Sequence, residues 1–540
     1  MYHNGPYVPP EEDIKIQVKV KNKVYKLDSL AAEMAKTWAA KLKTDYVKDK
    51  VFQQNFWKDF SKQLPDKLKN TVWPDDWDFT EAYKEIEALK EAKKNRIKKE
   101  KEQEKKEKEA RKEKYGYAII DGTKVEIMNY VVEPPGLFMG RGQHPLRGRW
   151  KPRITHEDII LNLSEDAPIP EGNWKAIVHN HNAIWIAFWQ DKLTGNYKYV
   201  MPSPKSFIRQ KNDVEKFEKA TRLMDKMPEV ISHINKMMQS KDPITKETAT
   251  VLSIIAHLGI RVGDEKDEDE AETYGATTLL AKHIKIERDY VFFNFVGKDS
   301  VLYRNKVKLP DLTIKNLKEI LRNKKPDEQV FQNVNSKKAN EMLSKILPGA
   351  TTKVFRTAIA TAVMKNYLDK HRNKNLSELE KIKIFKEANI LVAEKLNHRK
   401  TPTESAKQSI KKKKMKLKDL KFQLKLLKQE SKEEISKCKN LIKTASTPLR
   451  KESAKRKLER TKEKYNKKVN KLEERIQKLT LQIDIQSKSL DLNLGTSLTA
   501  YVNPKITFGW AKEVELELEK IYTKANIEKF KWAKNDKKRH

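Results

Sequence analysis

The hydrophobic pattern of the first sixty residues predicts strands followed by helices. Residues 15–27 alternate between apolar and polar positions, as the strands of a hairpin do. Across 29–64 the apolar positions instead recur three and four apart, the spacing of one helix face. Four aromatic side chains follow this helical spacing and are candidates for a core: Phe52, Phe56, Trp57 and Phe60.

The next part of the chain changes from a charged helix to short strands. Residues 91–114 are almost entirely Lys and Glu without an apolar stripe, which predicts a solvent-projecting helix with i,i+4 charge pairs. A strand is predicted at Tyr117–Ile120, and a β-hairpin at 174–201. We expect the surplus lysines of the charged helix to face a polyanion.

From about residue 213 to 403 the pattern is mainly helical. The run 251–260 is apolar enough to be a buried helix, and it leads directly into Arg261. An arginine at the end of an apolar helix is costly unless its guanidinium meets an anion. This residue is therefore a candidate for binding one.

Other polar residues of this region stand at the ends of elements. Strands at 290–295 and 300–307 flank a turn that places Lys298 at the tip of a hairpin. A helix opens around Arg356, and another closes at His398. We expect these three side chains to lie at element ends and not in the middle of a helix or sheet face.

Residues 404–489 form a separate segment with the rhythm of a coiled coil. Apolar positions step three and four apart in two runs, which are separated by Ser446–Thr447–Pro448. Two helices with narrow seams and a proline turn predict an antiparallel coiled-coil hairpin. The predicted seam contains Leu417, Leu420, Leu424, Leu427, Ile435, Cys438, Leu458, Tyr465, Val469, Leu472, Ile476, Leu479 and Ile483.

The composition indicates a polyanionic partner. Lys and Arg number 114 against 76 Asp and Glu, a net charge of +38 spread along 540 residues, enough chain for several domains. Such a charge costs self-repulsion, so we expect a nucleic acid that the protein surrounds. The single cysteine excludes an intramolecular disulfide, and the sequence shows neither a secretory signal nor a membrane-length apolar run. An intracellular protein without a membrane partner is predicted.

Several motif-like stretches lack the spacing that their chemistry requires. The glycine-rich loop 133–145, with arginines beside it, suits a phosphate backbone but not a dinucleotide. Gly297–Lys298 lacks the other residues of a P-loop. The pair His179 and His181 has no third ligand nearby, and the acidic run 264–272 lacks the EF-hand spacing. We therefore predict no metal site.

The stretch 494–506 contains the most distinctive tyrosine of the chain. Gly495 and Pro504 predict irregular backbone here, not helix interior. Tyr501, set in such a short loop, is expected to present its hydroxyl free to a partner. The alternative is a packed tyrosine whose hydroxyl bonds a nearby carbonyl.

Attack by tyrosine on a phosphodiester has definite requirements. A hydroxyl with an unperturbed pKa of about 10 needs help to act as a nucleophile. The transition state gains negative charge that fixed cations stabilise, and the leaving 5′ oxygen needs a proton. The residue types that meet these needs are present at Arg261, Arg356, His398 and Lys298, although spacing alone does not bring them to Tyr501.

Six motifs follow one another along the chain. They are Glu133-Pro-Pro-Gly-Leu-Phe with Gly140-Arg-Gly and His144-Pro, Arg261-Val-Gly-Asp-Glu-Lys, Phe295-Val-Gly-Lys-Asp-Ser, Lys353-Val-Phe-Arg-Thr, Asn397-His, and Leu494-Gly-Thr-Ser with Tyr501 and Pro504. Each is modestly specific, but the set in this order is very specific. In this order the chain resembles the eukaryotic-type IB DNA topoisomerases from near its first residue to its last.

The resemblance implies a role for each site residue. Tyr501 would be the nucleophile that forms a 3′-phosphotyrosyl link. The non-bridging oxygens of the scissile phosphate would be contacted by Arg261, Arg356 and His398, and Lys298 would protonate the leaving 5′-hydroxyl. Contacts with DNA are expected from Arg141, Asp299, Arg147, Arg149 and Lys353.

The resemblance also implies an α+β multidomain fold that clamps double-stranded DNA. The reaction would be a nick, rotation of the free end and religation, which relaxes positive and negative supercoils. Because the phosphotyrosine retains the energy of the phosphodiester, no ATP, redox cofactor or metal is expected, and a monomer suffices. The expected parts are a mixed α/β cap at 1–203 with projecting charged helices at 84–114, a mainly helical catalytic domain of tyrosine recombinase/type IB topoisomerase type at 204–403, an antiparallel coiled-coil linker at 404–489, and a small helical C-terminal domain at 490–540.

Some features depart from the family pattern. Ala500 stands where members usually carry Asn or Ser, a side chain that helps to hold camptothecin-class poisons, and Met139 stands where arginine is frequent. The chain begins directly at the expected cap, which is compatible with an archaeal-type or otherwise compact member. We expect an intracellular, DNA-associated protein, in the nucleoid and cytoplasm if it is archaeal-type and in the nucleus if it is eukaryotic.

Two other functions are compatible with parts of the pattern. A tyrosine recombinase shares the chemistry, but recombinases usually have His where Lys353 stands and lack a long coiled-coil insertion. A non-catalytic DNA clamp or chromatin-architectural protein would use the same basic surface. It would have no use for Tyr501 and the four matched polar residues.

Overall fold

The chain divides into two compact units. The structure is a computed structural model that describes residues 1–96, 98–264 and 272–534, without the side chains of Lys98 and Asp299. The acidic run expected at 264–272 therefore lies almost wholly outside the described residues. Unit 1 comprises Met1–Lys216, Asp264–Thr278 and Asn294–Arg304, and unit 2 comprises Phe217–Gly263, Leu279–Phe293 and Asn305–His540.

Unit 1 is mixed α/β. Its helices are α1 (Ser29–Ala39), α2 (Lys50–Phe60), α3 (Asp66–Lys69), α4 (Thr80–Lys94) and α5 (Lys98–Tyr115). Its strands are β1 (Tyr2–His3), β2 (Ile16–Val20), β3 (Lys23–Leu27), β4 (Trp77–Asp78), β5 (Tyr117–Ile120), β6 (Thr123–Met128), β7 (Gly136–Leu137), β8 (Trp150–Lys151), β9 (Ile159–Asn162), β10 (Ala176–Val178), β11 (Ala187–Gln190) and β12 (Tyr197–Pro202).

The strands of unit 1 confirm one predicted hairpin and correct another. β2 and β3 pair antiparallel, as the alternation at 15–27 predicts. The hairpin predicted at 174–201 is limited to β11 and β12, because β10 pairs parallel with β9. The amide of Asn162 explains the difference: it donates to the carbonyls of Asn180 and Trp185 and accepts from the Asn180 N–H, which fixes the connection as a turn.

Aromatic side chains form the core beneath the helices of unit 1. Phe52, Phe56 and Phe60 are fully buried on one face of α2, as their helical spacing predicts. Trp38 stacks on Phe56 with ring centroids 4.5 Å apart. Since stacked rings add to the burial of apolar area, this cluster anchors α2 in the unit.

Unit 2 is mainly helical. The first part of α6 and the distal parts of β14 and β15 group with unit 1. The elements are α6 (Phe207–Asp225), α7 (Met227–Met237), α8 (Pro243–Leu258), β13 (Ile284–Glu287), β14 (Tyr290–Gly297), β15 (Val301–Val307), α9 (Asp311–Leu321), α10 (Ser336–Ile346), α11 (Thr352–Asp369), α12 (Glu378–Lys395), α13 (Glu404–Thr444), α14 (Pro448–Lys488), α15 (Leu494–Thr496), α16 (Pro504–Glu513) and α17 (Lys524–Lys529).

The core of unit 2 is built around α11. This helix is buried on nearly every face from Val354 to Thr361 and packs against α8, α12 and α16. α8 ends at Gly259, which adopts a left-handed conformation with φ of 66°. A Cβ at this position would approach the Lys395 carbonyl oxygen to 3.0 Å. Glycine is therefore required where α8 meets the end of α12.

α13 and α14 form an antiparallel helical hairpin. The expected seam residues Leu420, Cys438, Leu458, Tyr465 and Ile483 are buried in it. Bonds between the helices run in antiparallel order, with Lys413 Nζ 2.9 Å from Gln486 Oε1 and Lys428 Nζ 2.6 Å from Glu473 Oε1. Thr447 caps the N-terminus of α14, where its hydroxyl accepts from the Arg450 N–H.

The described residues contain neither a membrane-spanning helix nor a cluster of metal ligands. Within residues 1–96, 98–264 and 272–534, no helix is both long enough and apolar enough to cross a membrane. In the same ranges no three His, Cys, Asp or Glu side chains are grouped so that they could hold a metal ion.

Candidate active site

Tyr501 ends a short π-helical turn, which corrects the irregular backbone expected for this stretch. α15 continues through Ser497–Tyr501, and the Val502 N–H donates to the Ser497 carbonyl oxygen at 3.2 Å, five residues back. Pro504 does not break this turn, because it occupies the first turn of α16, where proline is favoured. π-Helical turns are rare and frequently lie at functional sites.

The backbone around the tyrosine is held by Thr361 of α11. The Thr361 hydroxyl, fully buried, donates to the Tyr501 carbonyl oxygen at 3.3 Å and accepts from the Asn503 N–H at 3.2 Å. A second anchor is Lys529, whose Nζ donates to the Thr499 carbonyl oxygen at 2.9 Å. The turn is thus tied to two elements, which fixes the position of the tyrosine ring.

The hydroxyl of Tyr501 is not free, contrary to the expectation from its loop. Only 6% of the residue is exposed, and Arg356 Nη1 lies 2.9 Å from Tyr501 Oη. Arg261 Nη1 approaches the same oxygen at 3.5 Å. The packed alternative is correct about burial but wrong about the hydrogen-bond partner, because the hydroxyl meets two cations and not a carbonyl. Two guanidinium groups therefore converge on the hydroxyl oxygen.

Arg356 is positioned by the main chain on two sides. It lies in α11, is 4% exposed, and donates from Nε to the Gly259 carbonyl oxygen at 2.7 Å. Its Nη2 donates to the Leu396 carbonyl oxygen at 3.0 Å. These bonds use the ends of α8 and α12, whose last carbonyls lack partners within their own helices. They leave Nη1 directed at Tyr501.

His398 follows α12 and brings an imidazole beside the tyrosine ring. Asn397 turns the chain with φ of 52°, and the His398 ring centroid lies 4.9 Å from that of Tyr501. Nδ1 is 2.7 Å from Ser497 Oγ. Nε2 is buried and has no hydrogen-bond partner among the described residues. A buried polar atom in this state is uncommon and is suited to a ligand.

Burial and charge set the protonation states in this cluster. Burial acts to raise the pKa of Tyr501, but the positive charges of Arg356, Arg261 and Lys353 lower it below its usual value. Burial, together with the charges of the two arginines, lowers the pKa of His398 to about 3, so its imidazole is neutral near pH 7. Burial also lowers the pKa of Arg356, to about 10, which leaves it charged. The two arginines thus stabilise the deprotonated form of Tyr501 and destabilise the protonated form of His398.

The structure groups four of the five predicted catalytic residues in unit 2: Tyr501, Arg261, Arg356 and His398. The fifth, Lys298, belongs to unit 1, in a short turn at 298–300 between β14 and β15, as predicted for a hairpin tip. Arg141 and Asp299 are also in unit 1, and the side chain of Asp299 lies outside what the structure describes. Lys353 is exposed at the start of α11 in unit 2.

Arg147 and Arg149, predicted to contact DNA, are engaged within unit 1. Arg147 Nε lies 2.8 Å from Asp49, the N-cap of α2, and its residue is 8% exposed. Arg149 Nε lies 2.7 Å from Asp59. Both pairs fasten the loop that follows β7 onto α2. Their predicted contact with DNA stays a prediction.

Three residues that build the site are not among the residues predicted for it from the sequence. Ser497 and Thr361 are buried hydroxyls, and Gly259 supplies a carbonyl through its left-handed turn. Ser497 stands inside the Leu-Gly-Thr-Ser motif, so its position was marked but its bond to His398 was not. Thr361 lies in a helix with no polar pattern of its own, and nothing in the spacing connects it to residue 501.

The arrangement suits one kind of chemistry. Cations on a tyrosine oxygen favour the phenolate, and the same cations stabilise the charge that develops on a phosphoryl group under attack. A neutral imidazole with an unoccupied nitrogen offers a further hydrogen bond. The arrangement is chemically suited to attack by a tyrosine on a phosphate ester.

Comparisons with known proteins cover nearly the whole chain. Three family models match: the DNA binding fragment of eukaryotic DNA topoisomerase I at 1–202, its catalytic core at 205–431, and a C-terminal topoisomerase domain at 473–540. DNA topoisomerase 1 of Homo sapiens is 34% identical over 550 residues, which cover 98% of this chain and 70% of the relative. DNA topoisomerase 1 alpha of Arabidopsis thaliana is 34% identical over 545 residues, 99% of this chain and 58% of the relative.

The chain belongs to the eukaryotic DNA topoisomerase I family. It is accordingly an enzyme of the type IB class, and DNA is its partner. The resemblance noted from the six motifs is confirmed, and neither the recombinase nor the architectural alternative gains support. The relatives reported above come from an animal and a plant, which gives the archaeal-type alternative no support.

Proposed function

We propose that this chain relaxes supercoiled DNA through covalent attack by Tyr501. Its Oη loses its proton to solvent and bonds to the scissile phosphorus, the bond from phosphorus to the 5′ oxygen breaks, and the 5′ oxygen takes up a proton. Rotation of the free end changes the linking number, and the 5′ oxygen then attacks the phosphotyrosine to restore the strand. The observation that carries this proposal is the pair of guanidinium groups on Tyr501 Oη, at 2.9 and 3.5 Å.

The cluster in unit 2 would act on both the nucleophile and the phosphate. Arg356 and Arg261 lower the pKa of Tyr501 before attack, since their positive charge stabilises the phenolate. When Oη bonds to phosphorus it loses its negative charge, and the same guanidiniums become available to the non-bridging oxygens. His398 would donate from Nε2 to one of these oxygens. The stabilisation is strongest in the transition state, which is what accelerates the step.

Roles for the remaining predicted residues rest on the family motifs. Lys298, in the Phe295-Val-Gly-Lys-Asp-Ser motif, would give the proton to the 5′ oxygen. Arg141, Asp299 and the exposed Lys353 would contact DNA near the cut. Arg147 and Arg149 would hold the loop that presents Arg141, given their bonds to Asp49 and Asp59.

The domain organisation is also a proposal. A cap at 1–203, a catalytic domain at 204–403, a linker at 404–489 and a C-terminal domain at 490–540 would enclose the duplex as a clamp. The change of family model between residues 202 and 205 supports the first boundary, and the helical hairpin α13–α14 supports the linker. The protein would act as a monomer and, in a eukaryotic source, in the nucleus.

Relaxation of plasmid DNA tests the proposal. Purified protein is incubated with negatively and, separately, positively supercoiled plasmid in EDTA without ATP. We expect both to be relaxed, Tyr501→Phe to be inactive with nearly unchanged DNA affinity, and Tyr522→Phe to be active. Tyr522 is the matched control, because it is also buried and its hydroxyl contacts only Thr507. Relaxation by Tyr501→Phe, or binding by the wild type without any change in linking number, would contradict the proposal.

A further inference from the structure

The outer face of α13 carries an exposed apolar stripe. Met415, Phe422 and Leu426 are 60%, 62% and 49% exposed. Phe422 and Leu426 each stand two residues after a seam position, Leu420 and Leu424, which is about 200° around a helix. Met415 is seven residues before Phe422 and shares its face. The stripe therefore points directly away from α14.

A ridge of lysines borders one side of this stripe. The lysines step three, four or seven residues apart, so their side chains share one edge of the helix. None of them forms an ion pair within the ranges that the structure describes. α13 as a whole has fourteen lysines and five acidic residues. The members of the ridge are Lys414, Lys418, Lys421, Lys425 and Lys432.

Apolar and charged positions in parallel rows are complementary to one kind of partner. Phosphate groups would satisfy the lysines, but they offer nothing to Phe422 or Leu426, which gain only from contact with apolar groups. An amphipathic helix satisfies both rows, since its apolar residues at i, i+4 and i+7 fill the stripe and carboxylates along one edge meet the lysines. We propose that the outer face of α13 docks an acidic amphipathic helix of a partner protein.

Binding of a designed peptide to the full chain tests this surface. The probe is a fluorescein-labelled helical peptide of about 20 residues with a leucine stripe bordered by glutamates. Fluorescence anisotropy is compared for the wild type and for the triple variant Met415→Gln, Phe422→Gln and Leu426→Gln. Glutamine is a good helix former, so α13 is retained.

We expect the triple variant to bind at least about tenfold more weakly, with relaxation activity unchanged. Leu441→Gln is the matched control, because Leu441 is exposed on α13 outside the stripe. A peptide of the same composition but without the leucine stripe should bind as weakly as the variant does. Equal binding of the two peptides, no binding at all, or loss of duplex DNA affinity in the triple variant would overturn the proposal, the last by showing a nucleic-acid surface.

A second inference concerns how His398 is prepared for the reaction, and it rests on the proposed function. Ser497 is fully buried, and its Oγ is 2.7 Å from Nδ1 of the imidazole and 3.5 Å from the Asn493 carbonyl oxygen, so Nδ1 is the nearer acceptor for the hydroxyl proton. The Asn493 N–H donates to the His398 carbonyl oxygen at 2.6 Å, so the residues preceding Tyr501 hold the histidine at two points. A neutral imidazole has one N–H, and the bond made by one nitrogen decides which nitrogen has it.

The unoccupied Nε2 requires that proton if it is to serve a phosphate oxygen. If the Ser497 hydroxyl donates to Nδ1, the proton resides on Nε2, and the neutral ring is a donor on the side without a partner. If Ser497 instead accepts from Nδ1, Nε2 is a bare acceptor that would repel the phosphate. We infer that Ser497 is a positioning residue that donates to Nδ1 and keeps His398 as the Nε2–H tautomer.

Nitrogen NMR of the free protein reads the tautomer without any DNA. In protein with ¹⁵N-labelled histidine, the His398 signals are identified by their absence from the His398→Gln spectrum. We expect Nε2 to be the protonated nitrogen in the wild type and in Ser497→Thr, which keeps a hydroxyl. Ser497→Ala should show both tautomers and cleave at least about tenfold more slowly in single turnover, since a buried Nδ1 loses its donor.

The outcomes separate this inference from the proposed function. An Nδ1–H tautomer in the wild type overturns it, as does a Ser497→Ala variant with unchanged tautomer and rate. If the threonine variant is as slow as the alanine variant while its tautomer is retained, the serine acts by shape alone and the inference fails. The tautomer in the free protein does not depend on whether Tyr501 is the nucleophile, which the Tyr501→Phe relaxation assay decides.

Discussion

Arg356→Lys separates the geometry of this guanidinium from its charge. Lysine retains a positive charge but has one ammonium group in place of the three nitrogens that bond Gly259, Leu396 and Tyr501. If the ammonium stays at the tyrosine, two buried carbonyls lose their donor. At about 1–3 kcal/mol each, the free energy of unfolding should fall by about 2–6 kcal/mol.

The effect on cleavage should be larger than the loss of folded protein explains. A displaced or mobile cation at the phosphate costs about 10²–10³ in rate, the range for one preorganised donor. The assay is single-turnover cleavage of an end-labelled duplex, at a temperature where thermal melting shows the variant to be folded. Arg356→Ala removes the charge as well, so the pKa of Tyr501 rises and the limb of the cleavage profile on which the rate increases with pH moves to higher pH.

Arg372→Lys is the control for this substitution. It changes an exposed arginine that pairs with Asp369 and Glu513 on the surface of the same unit, where ion pairs contribute little. Its stability and rate should be near those of the wild type. Cleavage by Arg356→Lys within about threefold of the wild type would refute the reasoning, because a single donor of this kind is worth much more.

Three further predictions concern stability and the hairpin. The pKa of His398 is about 3 in the folded protein against an ordinary value of 6.5, so the unfolded chain binds the proton first as the pH falls. The contribution of His398 to stability should be complete above pH 6.5 and decrease by at most about 5 kcal/mol as the pH drops toward 3. Urea titrations should therefore show a smaller loss of stability in His398→Asn than in the wild type, whereas His233→Asn, at an exposed site, should behave as the wild type does. Thr361→Val should lower the free energy of unfolding by about 1–3 kcal/mol and slow cleavage, because the turn before Asn503 loses its anchor. Thr357→Val is the control and should cleave normally, because the Thr357 hydroxyl bonds the Lys353 carbonyl oxygen of its own helix. Deletion of 410–485 with a short join should leave measurable relaxation, since the hairpin holds no predicted catalytic residue, and an unfolded product by circular dichroism would show that it belongs to the core.

Periodicity predicts the elements of this chain well where one face of an element is buried. The strands at 15–27 and the helices at 29–64 are confirmed because their apolar positions repeat with the period of the structure. The charged segment 91–114 has no such face. It spans the end of α4 and most of α5, and residue 97 between them lies outside the described residues.

Glycine and proline near Tyr501 led to a wrong prediction of irregular backbone. Gly495 is tolerated within a helical turn, and Pro504 begins α16, so both residues mark a boundary between helices and not a loop. The tertiary bonds from Thr361 and Lys529 decide the local conformation. No local rule contains that information, since the partners are distant in sequence.

The sequence predicts which residue types the site contains, but not which of them are hydrogen-bonded to one another. The chemical types of Arg261, Arg356 and His398 follow from the reaction, whereas the serine that bonds His398 has no signature in spacing. Charge alone also does not distinguish an arginine that is available to DNA from one that forms an ion pair within the protein. Arg147 is of the second kind, and its partner Asp49 is far away in sequence.

The anchoring of Arg356 has a consequence for how the enzyme can change over generations. Two of its three acceptors are main-chain oxygens, which every amino acid provides. Substitutions at position 396 can therefore alter packing and accumulate without removing an acceptor. Position 259 is the exception, because its left-handed turn and its closeness to Lys395 admit only glycine without strain. The chain can therefore change at position 396 without loss of the contact with Arg356, whereas position 259 must remain glycine.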